Sequence, residues 1–396
     1  MRLLKNIGWT VISRIGTQGL AVLSNVLLAR YLGRDGFGEY AFISSILLIG
    51  NAFSTFGTDM ILIRELASKE NSYILADGLL IQLLLSLLYT AGVFSAGVFM
   101  SVPLSLKIYI FALFPLAFFT IFNIDLRARQ EMKKFSLIQF VAALLQLLAV
   151  FLLRHLRAEI NSFAAFMLVV QVTTAVFIFI VYYSGFTDWH FSLSHTFDLL
   201  KASVRMAVIG TLRLVYEKIT IAILPALVGF SMTGVFSVSS RLMEAEKLGH
   251  LSAFTAMYPE MARDADFGKQ LKGLRPLLGA AFLISLFIFI FAEIIIHILF
   301  GAEFMLSVQP LRIMAWVIIP YVLATYVSLG LVALGYEKPV LISLLAAFFV
   351  LLTLLVLLTP AFGLIGAGLA VLSAEIVHAA LLWYQWRGYV VSKSSR

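Results

Sequence analysis

Apolar stretches of roughly 20 residues alternate with short polar connections along the whole chain. A segment of roughly 20 apolar residues is the length that an α-helix needs to cross about 30 Å of hydrocarbon. The pattern therefore predicts an all-α polytopic membrane protein. Its transmembrane helices are expected near residues 7–29, 38–57, 77–100, 104–124, 136–153, 162–184, 204–226, 232–257, 276–299, 309–333, 339–358 and 363–386.

The composition favours the same class. Hydrophobic residues make up 61% of the chain and charged residues 13%, and the mean hydropathy is +1.00, which excludes an ordinary soluble domain. The opening MRLLKNIGWT has no small-residue cleavage site after it, so the first helix is expected to stay in the mature protein. The sequence has no cysteine, which excludes disulfides and cysteine metal sites.

Lys and Arg are distributed unevenly between alternate connections, which predicts the orientation in the membrane. With a cytoplasmic N-terminus, the cytoplasmic connections have Arg2, Lys5, Arg64, Lys69, Arg127, Arg129, Lys133, Lys134, Lys201, Arg263, Lys269, Lys272, Arg275, Lys338, Arg387, Lys393 and Arg396, and the outer ones have Arg30, Arg34, Lys107, Arg154 and Arg157. Both termini should therefore be cytoplasmic. This asymmetry accounts for much of the net charge of +8, so no nucleic-acid partner is expected.

The connections contain no sign of an enzyme. None is much longer than about 20 residues, and there is neither a Gly-rich phosphate loop nor an HExxH pair. His190 and His195 share one connection without a third ligand nearby, so a metal site is not expected. We predict no enzymatic activity and no cofactor, and we expect the function to lie between the helices.

The chain shows a weak internal repeat. GFGEYAFISS at 36–45 aligns with MTGVFSVSSR at 232–241 when Gly38 is set on Gly234, an offset close to half the length. This predicts two six-helix bundles, 1–200 and 201–396, with the same orientation and a substrate path between them.

Three stretches resemble one transporter family. GLAVLSNVLLARYLGRDGFGEYAFISS at 19–45, ILFGAEFMLSVQPLRIMAW at 298–316 and TPAFGLIGAGLAVLSAEIV at 359–377 are similar to Wzx-type polysaccharide (O-antigen) flippases of the multidrug/oligosaccharidyl-lipid/polysaccharide exporter superfamily. The resemblance implies a V-shaped pair of bundles that alternates between inward and outward opening. It implies an undecaprenyl-pyrophosphate-linked oligosaccharide as substrate, moved from the cytoplasmic to the outer leaflet of the plasma (inner) membrane for surface polysaccharide biosynthesis. The expected partners are this lipid, the bilayer, a coupling proton or sodium ion, and a glycan polymerase.

Charged residues within apolar helices are the candidate site. Arg14, Arg213 and Arg241 are expected at similar depth in three helices, as an arginine layer in a central cavity that binds the lipid pyrophosphate. Other candidates for substrate binding are Lys218, Lys247, Gln18, Asn25, Asn51 and Tyr216, and Glu217 and Glu244 are candidates for coupling. Many relatives have an acidic residue where this chain has Thr220, a role that Glu217 could replace. The alternative is structural, because Arg213 could pair with Glu217 and Arg241 with Glu244 within their own helices.

Three other functions remain open. A cation-coupled multidrug exporter of the same superfamily would want buried carboxylates, whereas Asp59, Asp77 and Asp125 fall near helix ends. A peptidoglycan lipid flippase usually has two additional helices. A membrane glycan polymerase or ligase would be expected to have a sizeable outer loop, which the predicted topology lacks.

Overall fold

The protein is described here from a computed structural model. It describes residues 2–68, 73–99, 101–157, 159–182, 192–263, 267–333 and 335–394, with the backbone alone at 2–15, 68, 73, 181–182, 205, 248–249, 251–253, 255–263, 267–272, 333 and 389–394. The helices are α1 Arg2–Thr55, α2 Thr58–Ser68, α3 Tyr73–Phe99, α4 Leu104–Tyr109, α5 Leu113–Ala128, α6 Met132–Leu156, α7 Ile160–Tyr182, α8 Leu193–Arg263, α9 Phe267–Leu299, α10 Val308–Met314, α11 Ile318–Ala333 and α12 Glu337–Ser394. Short 3₁₀ turns lie at Ile110–Ala112, Ala302–Ser307 and Ala315–Val317.

Three of these helices are long enough to cross a membrane twice. In the described residues, 9 segments are long and apolar enough to span a bilayer, and three of them contain 40, 42 and 52 residues. A glycine with positive φ divides each of the three into two arms: Gly33 in α1, Gly229 in α8 and Gly363 in α12. Counting two crossings for each divided helix gives 9 + 3 = 12 crossings. The predicted all-α polytopic fold is confirmed, and the number of helices agrees with the expected twelve.

The internal repeat is visible in the backbone of α1 and α8. A Cβ atom on Gly38 would lie 1.9 Å from the carbonyl oxygen of Phe230, and one on Gly234 would lie 2.0 Å from that of Arg34. The two contacts are equivalent in the repeat, because the offset that aligns Gly38 with Gly234 also aligns Arg34 with Phe230. Only glycine permits two helix backbones to approach this closely.

The chain divides into two compact units. Unit 1 contains Met1–Leu32 and Phe42–Ala222, and unit 2 contains Gly33–Ala41 and Ile223–Arg396. Residues 201–222 thus belong to unit 1 and residues 33–41 to unit 2. The bundle boundaries expected from sequence, 1–200 and 201–396, stay a prediction.

Each unit has an apolar core that fixes the helices around its charged groups. In unit 1, Ile61, Leu62, Leu75, Ile121 and Leu199 join α2, α3, α5 and the start of α8. In unit 2, α11 and α12 pack through a cluster that contains Ala324, Val327, Leu331, Ala379, Leu382 and Trp386. Ala379, Leu382 and Trp386 follow Glu375 and His378 on α12. The turns of α12 that come directly after these two polar residues are therefore packed in the core.

Candidate functional site

Arg213 and Glu217 form an ion pair on the first arm of α8, in unit 1. Arg213 Nε lies 3.5 Å from Glu217 Oε1, and the side chains are 52% and 36% exposed. Arg213 is seven residues beyond the start of the apolar span Met206–Lys247, or about 10 Å along the helix. An ion pair this exposed contributes only about 0–1 kcal/mol to stability. Because exposed charges at this depth are costly in lipid, we expect them to face water or a ligand.

The neighbouring residues of the same arm have different environments. Lys218 and Tyr216 are buried, at 9% and 8% exposure. Thr220 is also buried, whereas Glu217 is exposed. The carboxylate of Glu217 therefore does not occupy the environment of the Thr220 side chain, and its replacement of the acid found in relatives stays a prediction.

The polar candidates of α1 are partly buried in unit 1. Gln18 and Asn51 are of intermediate exposure. The Asn25 amide nitrogen donates a 2.8 Å hydrogen bond to the carbonyl oxygen of Ala21, while its buried Oδ1 has no partner among the described residues. The Arg14 side chain lies outside the described residues, and Arg241 belongs to unit 2, so the arginine layer stays a prediction.

Arg241 and Lys247 lie on the second arm of α8, in unit 2. Arg241 Nη1 is 3.3 Å from Glu244 Oε2, which is the i,i+3 pair that the spacing allows. Lys247 Nζ lies 3.7 Å from Glu375 Oε1 on α12 and 4.6 Å from the centre of the Tyr321 ring on α11. A cation above an aromatic face and beside a carboxylate is stabilised by both.

Glu375 and His378 complete this group, which we name the Lys247 cluster: Lys247, Tyr321, Glu375 and His378. His378 Nδ1 lies 3.7 Å from Glu375 Oε2, so the two carboxylate oxygens face different basic residues. The side chain of Glu375 is only 5% exposed. The pairing of Lys247 with Glu375 is not predictable from the sequence, since residues so far apart in sequence have no spacing that indicates contact. The available signal was the presence of Glu375 and His378 within a long apolar helix.

A second buried acidic group, also missed, lies in unit 1. The Asp77 carboxylate on α3 accepts hydrogen bonds from the Ser192 amide at 3.0 Å and the Thr196 hydroxyl at 3.0 Å. Its other oxygen is 2.7 Å from His195 Nδ1, and His195 Nε2 is 3.8 Å from Glu65 on α2. These contacts join the start of α8 to α2 and α3. His190, the other histidine of the predicted connection, lies outside the described residues.

Solved structures of membrane transporters have the same fold. An inward-facing multidrug resistance MATE family transporter of the MOP superfamily has a TM-score of 0.78 at 15% identity, over 96% of this chain and 96% of its own. The lipid II flippase MurJ, in an inward closed conformation, has a TM-score of 0.78 at 14% identity, over 95% of this chain and 86% of its own. A MOP superfamily transporter from Pyrococcus furiosus Vc1, described as having a binding pocket of reverse polarity, has a TM-score of 0.59 at 14% identity, over 99% and 94%. At these identities the likeness shows the fold alone.

Sequence comparison identifies the family. No curated protein sequence matches the chain. The family described as "Polysaccharide biosynthesis protein" matches residues 3–264, which is more than half of the chain. The resemblance to polysaccharide flippases is therefore confirmed, in a multi-pass membrane protein with the fold of the MOP superfamily transporters. The chain belongs to the polysaccharide biosynthesis protein family.

Proposed function

We propose that the protein is a flippase for an undecaprenyl-pyrophosphate-linked oligosaccharide. It moves this lipid from the cytoplasmic to the outer leaflet of the plasma membrane, for a surface polysaccharide such as O-antigen, and both its termini are cytoplasmic. The family and a fold shared with a lipid II flippase support this class of substrate. Alternating access through an arginine-lined cavity, with a proton or sodium ion as coupling partner and a glycan polymerase as downstream partner, belongs to the same proposal.

The observation on which the proposal rests is the presence of basic side chains inside one apolar span. Arg213 and Lys218 lie on the first arm of α8 and Arg241 and Lys247 on the second, all within Met206–Lys247. Charges in such segments are costly and are retained where they have a function. Guanidinium and ammonium groups bind phosphate oxygens through charge-assisted hydrogen bonds, which matches the pyrophosphate of the substrate.

The polar residues around these cations have separate proposed roles. Glu217 and Glu244 balance Arg213 and Arg241 when no substrate is bound, as their distances of 3.5 and 3.3 Å allow. Protonation of either acid would weaken its pair and favour a conformation with a free arginine. Sugar hydroxyls are bound by the polar side chains of unit 1, namely Gln18, Asn25, Asn51 and Tyr216.

The test removes the exposed cation and then its partner. Arg213→Ala should reduce surface glycan strongly and cause the lipid-linked oligosaccharide to accumulate, and Arg213→Lys should retain part of the activity because it keeps the charge. We would measure surface glycan and, by mass spectrometry, the accumulated lipid, in cells with matched membrane levels of each variant. The matched control is Arg129→Ala, which removes the exposed cation of another i,i+4 pair, with Asp125. Arg129 lies just beyond the apolar span Leu104–Ala128, so its replacement should leave the glycan normal.

Two results would contradict the proposal. Normal glycan from Arg213→Ala would show that Arg213 does not bind the substrate. Full recovery in the double variant Arg213→Ala/Glu217→Ala would show that the two residues only compensate one another.

A cation-coupled multidrug exporter is the second candidate, favoured by the fold likeness to a MATE transporter and by the buried carboxylate of Glu375. A drug exporter would protect cells from organic cations and would leave the lipid-linked oligosaccharide pool unchanged when deleted. A strain from which the protein is deleted therefore distinguishes the two functions, because loss of a flippase should cause the oligosaccharide to accumulate without altering drug sensitivity.

A further inference from the structure

We infer that Glu375 and His378 couple anion binding at Lys247 to the uptake of one proton. The inference rests on the proposed function, since it requires Lys247 to bind the substrate pyrophosphate. It adds two positioning residues on α12 that act through Lys247.

The first step is that the Lys247 charge is already balanced. Its ammonium lies 3.7 Å from one oxygen of Glu375 and 4.6 Å from the centre of the Tyr321 ring. An anion can bind this ammonium strongly only if it competes with the carboxylate of Glu375. Binding at Lys247 is therefore an exchange of one negative partner for another.

The second step is that Glu375 cannot be left without a cation. Its side chain is 5% exposed, and removing one member of a buried ion pair leaves a charge that the protein interior solvates poorly. His378 Nδ1 is 3.7 Å from the other oxygen of the same carboxylate, and its side chain is 14% exposed. Histidine is the side chain that most readily changes charge near neutral pH. Protonation of His378 supplies a cation beside Glu375 when Lys247 turns to the anion.

Charge and protons are both conserved when Lys247 exchanges Glu375 for the anion. In the empty state the ammonium of Lys247 pairs with the carboxylate of Glu375, and the imidazole of His378 is neutral. In the loaded state Lys247 pairs with the phosphate oxygens, and one proton from solvent converts His378 to an imidazolium that donates to Glu375. Anion binding should then weaken by about tenfold for each pH unit above the range in which His378 accepts the proton.

Other ionisable groups also lie near the Lys247 cluster. On α8, Arg241 and Glu244 pair with each other at 3.3 Å. Glu246 and His250 flank Lys247 on the same helix, and α11 contributes Tyr321. His250 is buried, with its Nδ1 3.5 Å from the carbonyl oxygen of Glu246. It is the matched control for His378, because it is a second histidine close to Lys247 in sequence.

The experiment titrates the purified full-length protein with inorganic pyrophosphate by calorimetry, in buffers of different ionisation enthalpy. The dependence of the observed heat on the buffer gives the number of protons taken up. We expect about one proton per bound anion in the parent protein. His378→Gln should lose this uptake and bind pyrophosphate more weakly, whereas His250→Gln should keep it. Glu375→Gln should also lose the uptake but bind more tightly, because its amide does not compete for Lys247.

The outcomes separate the inference from the proposed function. Pyrophosphate binding without proton uptake in the parent, or uptake that persists in His378→Gln, would overturn the inference and leave the flippase proposal in place. The absence of pyrophosphate binding, together with normal surface glycan in Lys247→Met cells, would overturn the anion site itself and the coupling with it. If Glu375→Gln fails to fold, the difference in proton uptake between His378→Gln and His250→Gln still tests the inference.

Discussion

Ion pairs in this protein differ widely in what they can stabilise. The Arg213–Glu217 pair is half exposed and lies within one helix, so its contribution to folding is small. Asp77 is 1% exposed and accepts hydrogen bonds from the start of α8, with His195 at 2.7 Å. We therefore expect the first pair to serve function and the second group to hold helices together.

Replacement of Asp77 by Ala should destabilise the protein by about 1–3 kcal/mol, because it removes a buried carboxylate that accepts hydrogen bonds from Ser192 and Thr196 and lies beside His195. The measurement is thermal unfolding in detergent. Asp125→Ala is the control, since it removes an acidic residue whose partner Arg129 is largely exposed. It should lower the stability far less than Asp77→Ala. If the two variants lost the same amount of stability, the Asp77 group would have no special structural role.

Sequence spacing predicts only the local contacts of these residues. The i,i+4 and i,i+3 pairs of Arg213 with Glu217 and of Arg241 with Glu244 could be read from the chain, and the structure contains both. His195 and Asp77 are 118 residues apart, and no pattern along the chain indicates which helices bring them together. The same reason explains why the pairing of Lys247 with Glu375 was missed.

Glycines determine the course of the longest helices. Gly33, Gly229 and Gly363 have positive φ where α1, α8 and α12 divide into two arms, a conformation that is costly for other residues. Gly38 and Gly234 instead permit contact between backbones, since a Cβ on either would overlap a carbonyl oxygen. The first group sets where an arm ends, and the second sets how closely α1 and α8 pack in unit 2.

We predict that Gly38→Ala lowers stability by about 3 kcal/mol or more and reduces surface glycan. Its new methyl group would meet the Phe230 backbone at 1.9 Å, and a backbone cannot move aside as a flexible side chain can. Gly210→Ala is the matched control, because nothing lies within 4 Å of its added Cβ, and alanine should if anything favour the helix. The midpoint of thermal unfolding checks both, and an unchanged midpoint in Gly38→Ala would contradict the close approach.

A search for spans of about 20 apolar residues predicts transmembrane helices well, because bilayer thickness fixes their length. It cannot predict α2, which has only 11 residues. This helix is held by its apolar side, where Ile61 and Leu62 enter the core of unit 1. The sequence pattern also could not predict that residues 33–41 belong to unit 2, since this depends on contacts between segments that are distant in sequence.

The membrane orientation is a property of the whole molecule, and it can be tested by labelling single positions. The asymmetry of Lys and Arg predicts cytoplasmic termini, with the connection after α3 outside and the start of α8 inside. The chain has no cysteine, so a single introduced thiol reports its own position without any background mutation.

Ser101 and Ser194 are the positions to use, because both are exposed in the structure. In intact cells a membrane-impermeant thiol reagent should label Ser101→Cys, and it should label Ser194→Cys only after the membrane is permeabilised. Ser136, also on the predicted cytoplasmic side, is unsuitable because it is 4% exposed and its thiol would react poorly from either side. Labelling of Ser194→Cys in intact cells, with Ser101→Cys protected, would reverse the orientation. The proposed direction of lipid transport would then have to be reassigned, since the start of α8 would lie at the outer surface.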